Sequence, residues 1–289
     1  MGPGGFGFTL PKMTDEDSGR LRDYITKNFG IRLKEEKRAL LEGRLHKRLR
    51  SLGMKSFTEY CDYLFSEQGL REESETLMNL ISTNKTDFFR EPHHFAYLRD
   101  VLLPPLYSRL AGTPLPLHIW SAACATGEEP FSIAMTADYY ASLQRGGKEF
   151  HFDILATDIS TSALDTGLSA VYPEKLTEPI PPEMRLKYLM RNKDPHKKDV
   201  RIVPELRSKI RFRYLNFMDS HYDIREEMDI IFCRNSLIYF DFDEKTNIVT
   251  KLCRHLKPGG TFFVGHSESL FNMDIPLKLI EPTIYIKDG

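Results

Sequence analysis

The sequence predicts an α/β protein with a doubly wound, mostly parallel sheet, a small all-helical N-terminal domain and a small β insertion. Residues 14–81 show helical periodicity throughout and contain no β-branched runs. From about residue 94, short apolar stretches alternate with helical ones, which favours parallel strands joined by right-handed crossovers. A proline-rich segment, about 171–206, is too long for a simple crossover helix and indicates an inserted subdomain.

Length and composition are those of an ordinary globular protein. The 289 residues suffice for one large or two modest domains, and the net charge of −1 provides no overall field toward nucleic acid or membrane. No apolar run approaches the roughly 18 residues that span a bilayer. The first ten residues lack the features of a signal peptide and are interpreted as a flexible leader. The four cysteines form no C-x-x-C pair, so a reduced, cytoplasmic chain is the default expectation.

Four helices are predicted in the N-terminal domain, which we place at residues 14–81. The first starts among polar capping residues and ends at a glycine. The second repeats leucines at helical spacing before another glycine, and two shorter helices follow. The predicted helices occupy residues 14–30, 34–53, 56–67 and 70–82.

Five strands are predicted in the second domain, residues 96–289, and residues 82–95 are assigned to a linker. The fifth strand is expected to follow a helix closed by Pro258, Gly259 and Gly260. The final stretch, 277–289, indicates one or two further strands at the edge of the sheet. The five strands are predicted at residues 117–120, 152–157, 210–216, 228–233 and 261–265.

The motif SAACATGEEPFSIAM, residues 121–135, places a turn of small residues between the first strand and a helix. Ligands of open parallel sheets bind at such a turn. A pyrophosphate would use bare N–H groups there, but Glu128 and Glu129 would repel it. Acids also favour a helix N-terminus by roughly 0.3–1 kcal/mol, which explains one glutamate. Two glutamates beside the turn also form a pocket for a cation.

S-adenosyl-L-methionine fits such a pocket, because it carries a sulfonium and an α-ammonium but no phosphate. Asp158, at the end of the second strand, is placed to accept hydrogen bonds from ribose hydroxyls, with capping of the next helix as an equal alternative. Asn216 and Asp219 follow the third strand, where an amide can reach an adenine edge. Each signal is weak alone, and their order along the chain makes them specific together.

Five motifs run in order along the chain: STNKTDFFREPHHF (82–95), IWSAACATGEEPFSIAM (119–135), ILATDIS (154–160), IIFCRNSLIYFD (230–241) and LKPGGTFFVGHSES (256–269). Together they resemble the chemotaxis receptor methyltransferases, the CheR family, over nearly the whole chain. The resemblance implies a class I methyltransferase-like fold. It also implies methyl transfer from S-adenosyl-L-methionine to receptor glutamate side chains, leaving glutamate methyl esters and S-adenosyl-L-homocysteine.

The resemblance also implies roles for individual residues. Arg90 and Tyr239 are implicated at the reacting centre, and the linker 82–95 is expected to fold over the cofactor. The alternative for this linker is an ordinary helix start capped by Asp87, with two core phenylalanines. No metal is expected. The implied cofactor contacts are Asn84, Thr86, Arg90, Glu129, Asp158, Asn216, Phe217, Arg234 and Asn235.

A glutamate substrate, with a pKa near ~4.3, is ionised at neutral pH, so the reaction requires no general base. The task of the protein is then to align the carboxylate oxygen, the methyl carbon and the sulfur. Arg90 and Tyr239 are candidates to hold the carboxylate by charge-assisted hydrogen bonds.

Residues 32–55 contain nine Lys or Arg against three Glu, which gives +9 − 3 = +6 in an otherwise balanced chain. A solvated face is the ordinary explanation. The alternative is docking on acidic cytoplasmic helices of methyl-accepting chemoreceptors, which the resemblance favours. Nucleic acid is disfavoured, because the net charge is near zero and no recognised binding module is present. The candidate docking residues are Arg44, Lys47, Arg48 and Arg50.

The insertion corresponds to a β subdomain that binds a receptor C-terminal peptide in some family members, through a turn containing glycine. Here MRNKDPHKKDVR (190–201) contains no glycine, so tethering to a receptor tail stays open.

Two other functions compete with receptor methylation: a methyltransferase acting on a small molecule or RNA, and a non-enzymatic, cofactor-binding adaptor in a signalling array. The basic helical domain counts against the first, and the intact set of implied site residues against the second. The protein is expected to be a monomer without direct membrane insertion.

Overall fold

The computed structural model describes residues 11–33, 38–194 and 196–288. The contacts divide the chain into two compact units, residues 1–83 and 84–289, so the predicted linker is shared between them. The proposed leader and the first four residues of the predicted second helix, 34–37, lie outside the described residues.

The first unit is all-helical, as predicted. The Thr14 hydroxyl accepts a hydrogen bond from the backbone N–H of Asp17, and Gly30, at φ 68°, ends the first helix in the left-handed region. The leucines at helical spacing fill the interior, with Leu45 and Leu49 at most 1% exposed. The helices are α1 (Asp15–Phe29), α2 (Arg38–Leu52), α3 (Phe57–Leu64) and α4 (Glu67–Ile81).

The second unit begins with two short helices joined by a π-helical turn and then alternates strands with helices. Both short helices carry proline in their first turn, where its missing N–H breaks no helical hydrogen bond. The elements are α5 (Pro92–Tyr97), α6 (Leu103–Leu110), β1 (Leu117–Ala122), α7 (Glu128–Ser142), β2 (Phe152–Asp158), α8 (Thr161–Ser169), β3 (Val171–Pro173), α9 (Pro182–Tyr188), β4 (Leu189–Arg191), β5 (Asp199–Ile202), α10 (Pro204–Arg207), β6 (Ile210–Tyr214), β7 (Met228–Cys233), α11 (Phe242–Arg254), β8 (Leu256–Val264), β9 (Leu277–Glu281) and β10 (Ile284–Lys287).

The main sheet has seven strands in the order β6-β2-β1-β7-β8-β10-β9. Its first five strands are parallel, and β10 and β9 are added antiparallel at one edge. The chain moves outward from β1 to β2 and β6, and then returns to the other side of β1 with β7. The carboxyl ends of β1 and β7 therefore flank the topological switch point, where open sheets of this kind bind ligands.

Both faces of this sheet are covered. In β1, Ile119 belongs to one buried cluster and Trp120, the next residue, to the other, and both side chains are fully buried. A parallel strand buried on two sides is apolar along its length, which explains the short apolar runs in the sequence.

The predicted start of the fifth strand was wrong. Helix α11 ends at Arg254, and β8 already begins at Leu256, so Pro258, Gly259 and Gly260 lie within the strand. The pairing of β7 with β8 shifts register between Met228 and Ile230, and Gly259 has a φ of 72°. An irregular strand tolerates these residues, whereas the sequence pattern suggested the end of a helix.

The insertion contains a three-stranded antiparallel sheet in the order β3-β5-β4, together with α9 and α10. This confirms the predicted small β insertion. Its prolines occupy positions that suit them, since Pro182 and Pro204 each begin a helix.

Candidate functional site

The turn between β1 and α7 is tightly enclosed. Ala123 and Ala125 have φ of 65° and 47°, and Gly127 has a φ of 98°. A Cβ at Gly127 would lie 2.9 Å from the Tyr172 hydroxyl oxygen and 3.0 Å from Cα of Gly167. Position 127 requires glycine because of these close contacts and its left-handed backbone.

Asp158, the last residue of β2, braces this turn. Its Oδ2 accepts a hydrogen bond from the Ala125 N–H at 2.8 Å, and its Oδ1 accepts one from the Ser160 N–H at 2.9 Å. Burial raises the pKa of Asp158, and the backbone donors oppose that rise. The N-cap of α8 is Ser160, whose hydroxyl accepts the Ala163 N–H. The alternative that Asp158 caps α8 is therefore wrong.

The two glutamates of the motif have different surroundings. Glu128 accepts a hydrogen bond from the Thr126 hydroxyl at 2.6 Å, a local contact at the start of α7. Glu129 reaches across the strand ends: Oε1 accepts from the Ser121 hydroxyl at 2.6 Å, and Oε2 accepts from Arg234 Nη1 at 2.9 Å. Burial raises the pKa of both carboxyls. Glu129 is thus the glutamate that belongs to the switch point.

Arg234, directly after β7, joins three segments of the second unit. Only 1% of its side chain is exposed. Besides Glu129, its guanidinium donates through Nη2 to the carbonyl oxygen of Arg90 at 2.5 Å and to Oε2 of Glu91 at 3.0 Å. A buried cation needs such partners, and the planar guanidinium fork can serve several at once.

Glu91 completes this chain of charges. Its Oε1 accepts hydrogen bonds from Nδ2 of Asn235 and from the N–H of His266, both at 3.2 Å. Burial raises the pKa of Glu91, but the charge of Arg234 and these hydrogen bonds outweigh it and lower the pKa to about 2. Glu91 is therefore ionised at neutral pH, and Glu129, Arg234 and Glu91 form a continuous ion-paired chain.

The segment that carries Arg90 packs on the same end of the sheet. Nδ2 of Asn84 donates to the Ser160 hydroxyl at 3.2 Å, and the N–H of Phe89 donates to the Ser132 hydroxyl at 2.9 Å. Nη1 of Arg90 donates to the Lys85 carbonyl at 3.1 Å, and Thr86 lies half-buried within that loop.

No helix begins near Asp87, because the chain stays irregular until α5 starts at Pro92. The alternative of a helix start capped by Asp87 is therefore wrong. Phe88 and Phe89 are buried, as that alternative also expected.

The other implied site residues follow β6 and β7. Asn216 accepts a hydrogen bond from the Met218 N–H at 2.9 Å, and the Phe217 ring lies 6.1 Å from the Phe240 ring. Phe240 follows Tyr239, which ends a 3₁₀ turn, Leu237–Tyr239, four residues after Asn235. The structure thus brings the residues after β6 next to the loop that carries Tyr239.

The four candidate docking residues in the first unit divide into two pairs. Arg44 donates to the carbonyl oxygens of residues 80–82 at the end of α4, at 2.6–3.2 Å. Arg48 forms a bidentate pair with Glu73, which is fully buried. Lys47 and Arg50 are exposed. Two of the four basic side chains therefore stabilise their own unit, and two face solvent.

Sequence reasoning missed two residues of this site, Glu91 and Glu268. Glu91 lies between Arg90 and Pro92 in the motif of residues 82–95. An acidic residue next to a candidate catalytic arginine is a signal that could have indicated an ion pair at the site. Glu268 lies in the GHSES stretch, and its carboxylate accepts the N–H groups of Asn235 and Leu237 after β7 and that of Gly265 after β8. Nothing local in the sequence indicates that contact.

Three further observations concern the described residues. All four cysteines are buried and unpaired. No group of three or more His, Cys, Asp or Glu side chains is arranged to hold a metal ion in the part of the chain that the structure describes. None of the described helices is long and apolar enough to cross a membrane.

The charges around the turn fit a cationic ligand. Glu129, Asp158 and Glu91 with Arg234 give −3 + 1 = −2 when the carboxyls are ionised. This surplus suits a sulfonium or ammonium and disfavours a pyrophosphate. The doubly wound sheet and its anionic turn at the switch point define a class I, S-adenosyl-L-methionine-binding methyltransferase fold.

Comparison with known proteins gives the family. Residues 16–82 match the model of the CheR methyltransferase all-alpha domain, and residues 84–286 match that of the CheR methyltransferase SAM binding domain. The chain belongs to the CheR methyltransferase family, and its cofactor is S-adenosyl-L-methionine.

Relatives of known name align over almost their full length. Chemotaxis protein methyltransferase 2 of Pseudomonas aeruginosa is 38% identical over 94% of this chain and 93% of its own length. The chemotaxis protein methyltransferase of Borreliella burgdorferi is 37% identical, over 96% and 95%. That of Escherichia coli is 36% identical, over 94% and 91%.

Proposed function

We propose that the protein transfers the methyl group of S-adenosyl-L-methionine to glutamate side-chain carboxylates on the cytoplasmic helices of chemoreceptors. The products are glutamate methyl esters and S-adenosyl-L-homocysteine. The observation that carries the proposal is the ion-paired chain Glu129–Arg234–Glu91, because it connects the anionic turn to the segment bearing Arg90. The names of the relatives support chemotaxis as the setting, and a cytoplasmic location belongs to the same proposal.

The residues at the switch point have the chemistry to hold the cofactor. Glu129 offers a carboxylate to a cationic group, and Asp158 offers lone pairs to ribose hydroxyls beyond those used by its two backbone donors. When bound, the cofactor supplies a methyl group attached to a positively charged sulfur. The other proposed contacts are Asn84, Thr86, Arg90, Asn216, Phe217 and Asn235.

The geometry changes the proposed role of Arg234. Its side chain is enclosed by Glu129, Glu91 and the Arg90 carbonyl, so it acts mainly by fixing these groups. Because it neutralises only one of the two glutamates, the turn stays anionic. Arg234 thereby keeps the pocket suited to a cation while holding Glu129 in one orientation.

Arg90 and Tyr239 are the proposed residues at the reacting centre. The incoming glutamate is ionised at neutral pH, so the protein needs to orient an oxygen and not to remove a proton. A guanidinium and a phenol hydroxyl can each donate a hydrogen bond to that carboxylate. The segment that carries Arg90 is linked to the loop that leads to Tyr239. The Arg90 carbonyl accepts a hydrogen bond from Arg234, and Glu91 accepts one from the next residue, Asn235.

Helix α2 is the proposed docking element, through its exposed residues Lys47 and Arg50. Receptor methylation regions carry acidic residues before modification, so a basic face attracts them. Arg44 and Arg48 contribute to this face indirectly, because they tie α2 to the end and the middle of α4.

The test is to incubate the purified protein, with methyl-labelled S-adenosyl-L-methionine, on membranes that carry the chemoreceptors of the same organism. Membranes without receptors are the control. We expect label on the receptor band that mild base releases, as a carboxyl methyl ester requires. Cofactor binding without receptor label would point to another substrate or to the adaptor role. Absence of cofactor binding would contradict the role of Glu129.

A further inference from the structure

Glu268 lies in the turn after β8, and its carboxylate binds the loop that follows β7. Oε2 accepts hydrogen bonds from the N–H groups of Asn235 at 2.8 Å and Gly265 at 2.6 Å. Oε1 accepts one from the N–H of Leu237 at 2.6 Å. Glu268 is only 8% exposed, so one buried carboxylate holds three backbone donors from two adjacent loops.

The backbone held in this way is left-handed and crowded. Asn235 has a φ of 59°, in the left-handed region that few residues other than glycine adopt and that asparagine adopts more readily than most. A Cβ at Gly265 would lie 2.5 Å from Nδ2 of Asn235, so the two loops touch. The N–H groups on both sides of Ser236 are bound by Glu268, so its carboxylate holds this left-handed turn in place.

We infer that Glu268 is a positioning residue for methyl transfer, which acts by fixing the backbone of residues 235–237. This inference rests on the proposed function, because that function gives Asn235 a place at the cofactor and Tyr239 a place at the substrate carboxylate. Tyr239 ends the 3₁₀ turn that starts at Leu237. By holding this turn, the Glu268 carboxylate therefore fixes the position of the Tyr239 side chain.

A neutral amide cannot replace this carboxylate. A glutamine has one accepting oxygen, and its NH₂ group would face at least one of the three N–H groups as a second donor. Glu268→Gln therefore keeps the shape of the side chain while breaking the contact, and the freed loop can move. A displacement of about 1 Å at a reacting group can reduce a rate by about a hundredfold.

Asp229 provides a matched control on β7, the strand whose following loop Glu268 binds. It is 7% exposed and lies near the start of β7, at the opposite end from residue 234. Its Oδ2 accepts the His118 N–H at 3.0 Å and pairs with Lys257 at 2.8 Å. Asp229→Asn removes a buried carboxylate that also accepts a backbone N–H, but it leaves the loop after β7 untouched.

The experiment compares the wild-type chain, Glu268→Gln and Asp229→Asn. It measures the thermal unfolding midpoint, kcat and KM for S-adenosyl-L-methionine with receptor membranes, and amide hydrogen exchange of residues 234–239. We expect both variants to unfold at lower temperature. Only Glu268→Gln should lose kcat, by about ten- to a hundredfold, and its KM for the cofactor should rise as well, because the same loop carries Asn235. Only Glu268→Gln should exchange faster at residues 234–239.

A kcat within about twofold of wild type, or equal losses in the two variants, would overturn the inference. If Glu268→Gln does not fold, Glu268→Asp takes its place: it keeps the charge but is one methylene too short to hold all three donors, and an undiminished kcat would then overturn the inference. If the wild-type chain transfers no methyl group, the proposed function fails. In that case amide hydrogen exchange still tests whether Glu268 fixes the loop. Faster exchange at residues 234–239 in Glu268→Gln upholds that role, and unchanged exchange overturns it.

Discussion

Arg234 shows how a single buried side chain can order several groups at once. The sequence pointed to a cofactor contact, and the structure encloses the guanidinium between two carboxylates and a carbonyl oxygen. Its Nε has no hydrogen-bond partner among the described residues. The cost of burying this charge is offset by the two glutamates, so loss of Arg234 would leave two largely buried carboxylates without a cation.

The first prediction concerns Arg90. Arg90→Ala should lower kcat for receptor methylation by about a hundredfold, because a charge-assisted donor that aligns the carboxylate is lost. Initial rates with labelled cofactor and receptor membranes measure the effect. Arg99→Ala is the matched control, since Arg99 is exposed and pairs with its neighbour Asp100, and it should keep the wild-type rate. Near-normal kinetics for Arg90→Ala would remove Arg90 from the reacting centre.

The second prediction concerns His94, which is fully buried with Nε2 2.7 Å from the Thr283 hydroxyl. Burial lowers the pKa of His94 to about 3, and the positive charge of Arg234 adds to that effect, with Glu91 opposing it. As the pH falls, His94 is therefore protonated in the unfolded chain before it is protonated in the folded protein. Stability should decline below the ordinary histidine pKa of about 6.5, and the decline should continue toward pH 3.

Urea unfolding at pH 7.5, 6.5 and 5.5 tests this expectation. The unfolding free energy of the wild-type protein should fall by about 1 kcal/mol between pH 6.5 and 5.5 through His94. His94→Phe should flatten this slope, whereas His221→Asn, a change at an exposed histidine, should not. Equal slopes in wild type and His94→Phe would contradict the assignment.

At the scale of elements, the turn between β1 and α7 is limited by its backbone and by its neighbours. Gly127→Ala should destabilise the protein by about 2–4 kcal/mol, because the left-handed backbone costs about 1–2 kcal/mol and the new methyl group meets Tyr172. Gly146→Ala is the matched control: Gly146 has a φ of 101° but nothing within 4 Å of the added carbon. Thermal unfolding of the two variants separates contact from backbone strain, and equal destabilisation would show that the Tyr172 contact is unimportant.

The next prediction distinguishes the exposed basic residues of helix α2 from those that bind α4. The double variant Lys47→Glu and Arg50→Glu should raise KM for receptor membranes about tenfold at low salt, with little change in unfolding. Arg48→Ala should instead destabilise the first unit by about 3 kcal/mol, since it leaves the buried Glu73 carboxylate without its cation. A salt-independent KM for the double variant would argue against electrostatic docking.

Elements with a strong local pattern could be predicted from the sequence, and those that depend on distant partners could not. Thr14, Gly30 and the leucines of α2 mark helices through contacts within a few residues. Pro258 and Gly259 carry a helix-ending pattern, but pairing of β8 with β7 makes them part of a strand. The anionic turn was predictable because Glu129 adjoins it, whereas Glu91 and Glu268 act on residues that lie far away or past a strand.

At the scale of the whole molecule, charge is divided unevenly. The whole chain has a net charge of −1, and residues 32–55 contribute +6, so the remaining residues carry −1 − 6 = −7. A nearly neutral protein can therefore carry a strongly basic segment. If the chain docks on receptors as proposed, this distribution and not the total charge is the relevant property.

The ion-paired chain at the switch point joins residues that are far apart in sequence. Glu91 reaches Arg234 across 143 positions and His266 across 175. On the ribosome, these contacts therefore cannot form until both Glu91 and the residues up to His266 have been synthesised. Assembly of this centre is thus a late, long-range step of folding, which must offset the entropy of closing loops of this length.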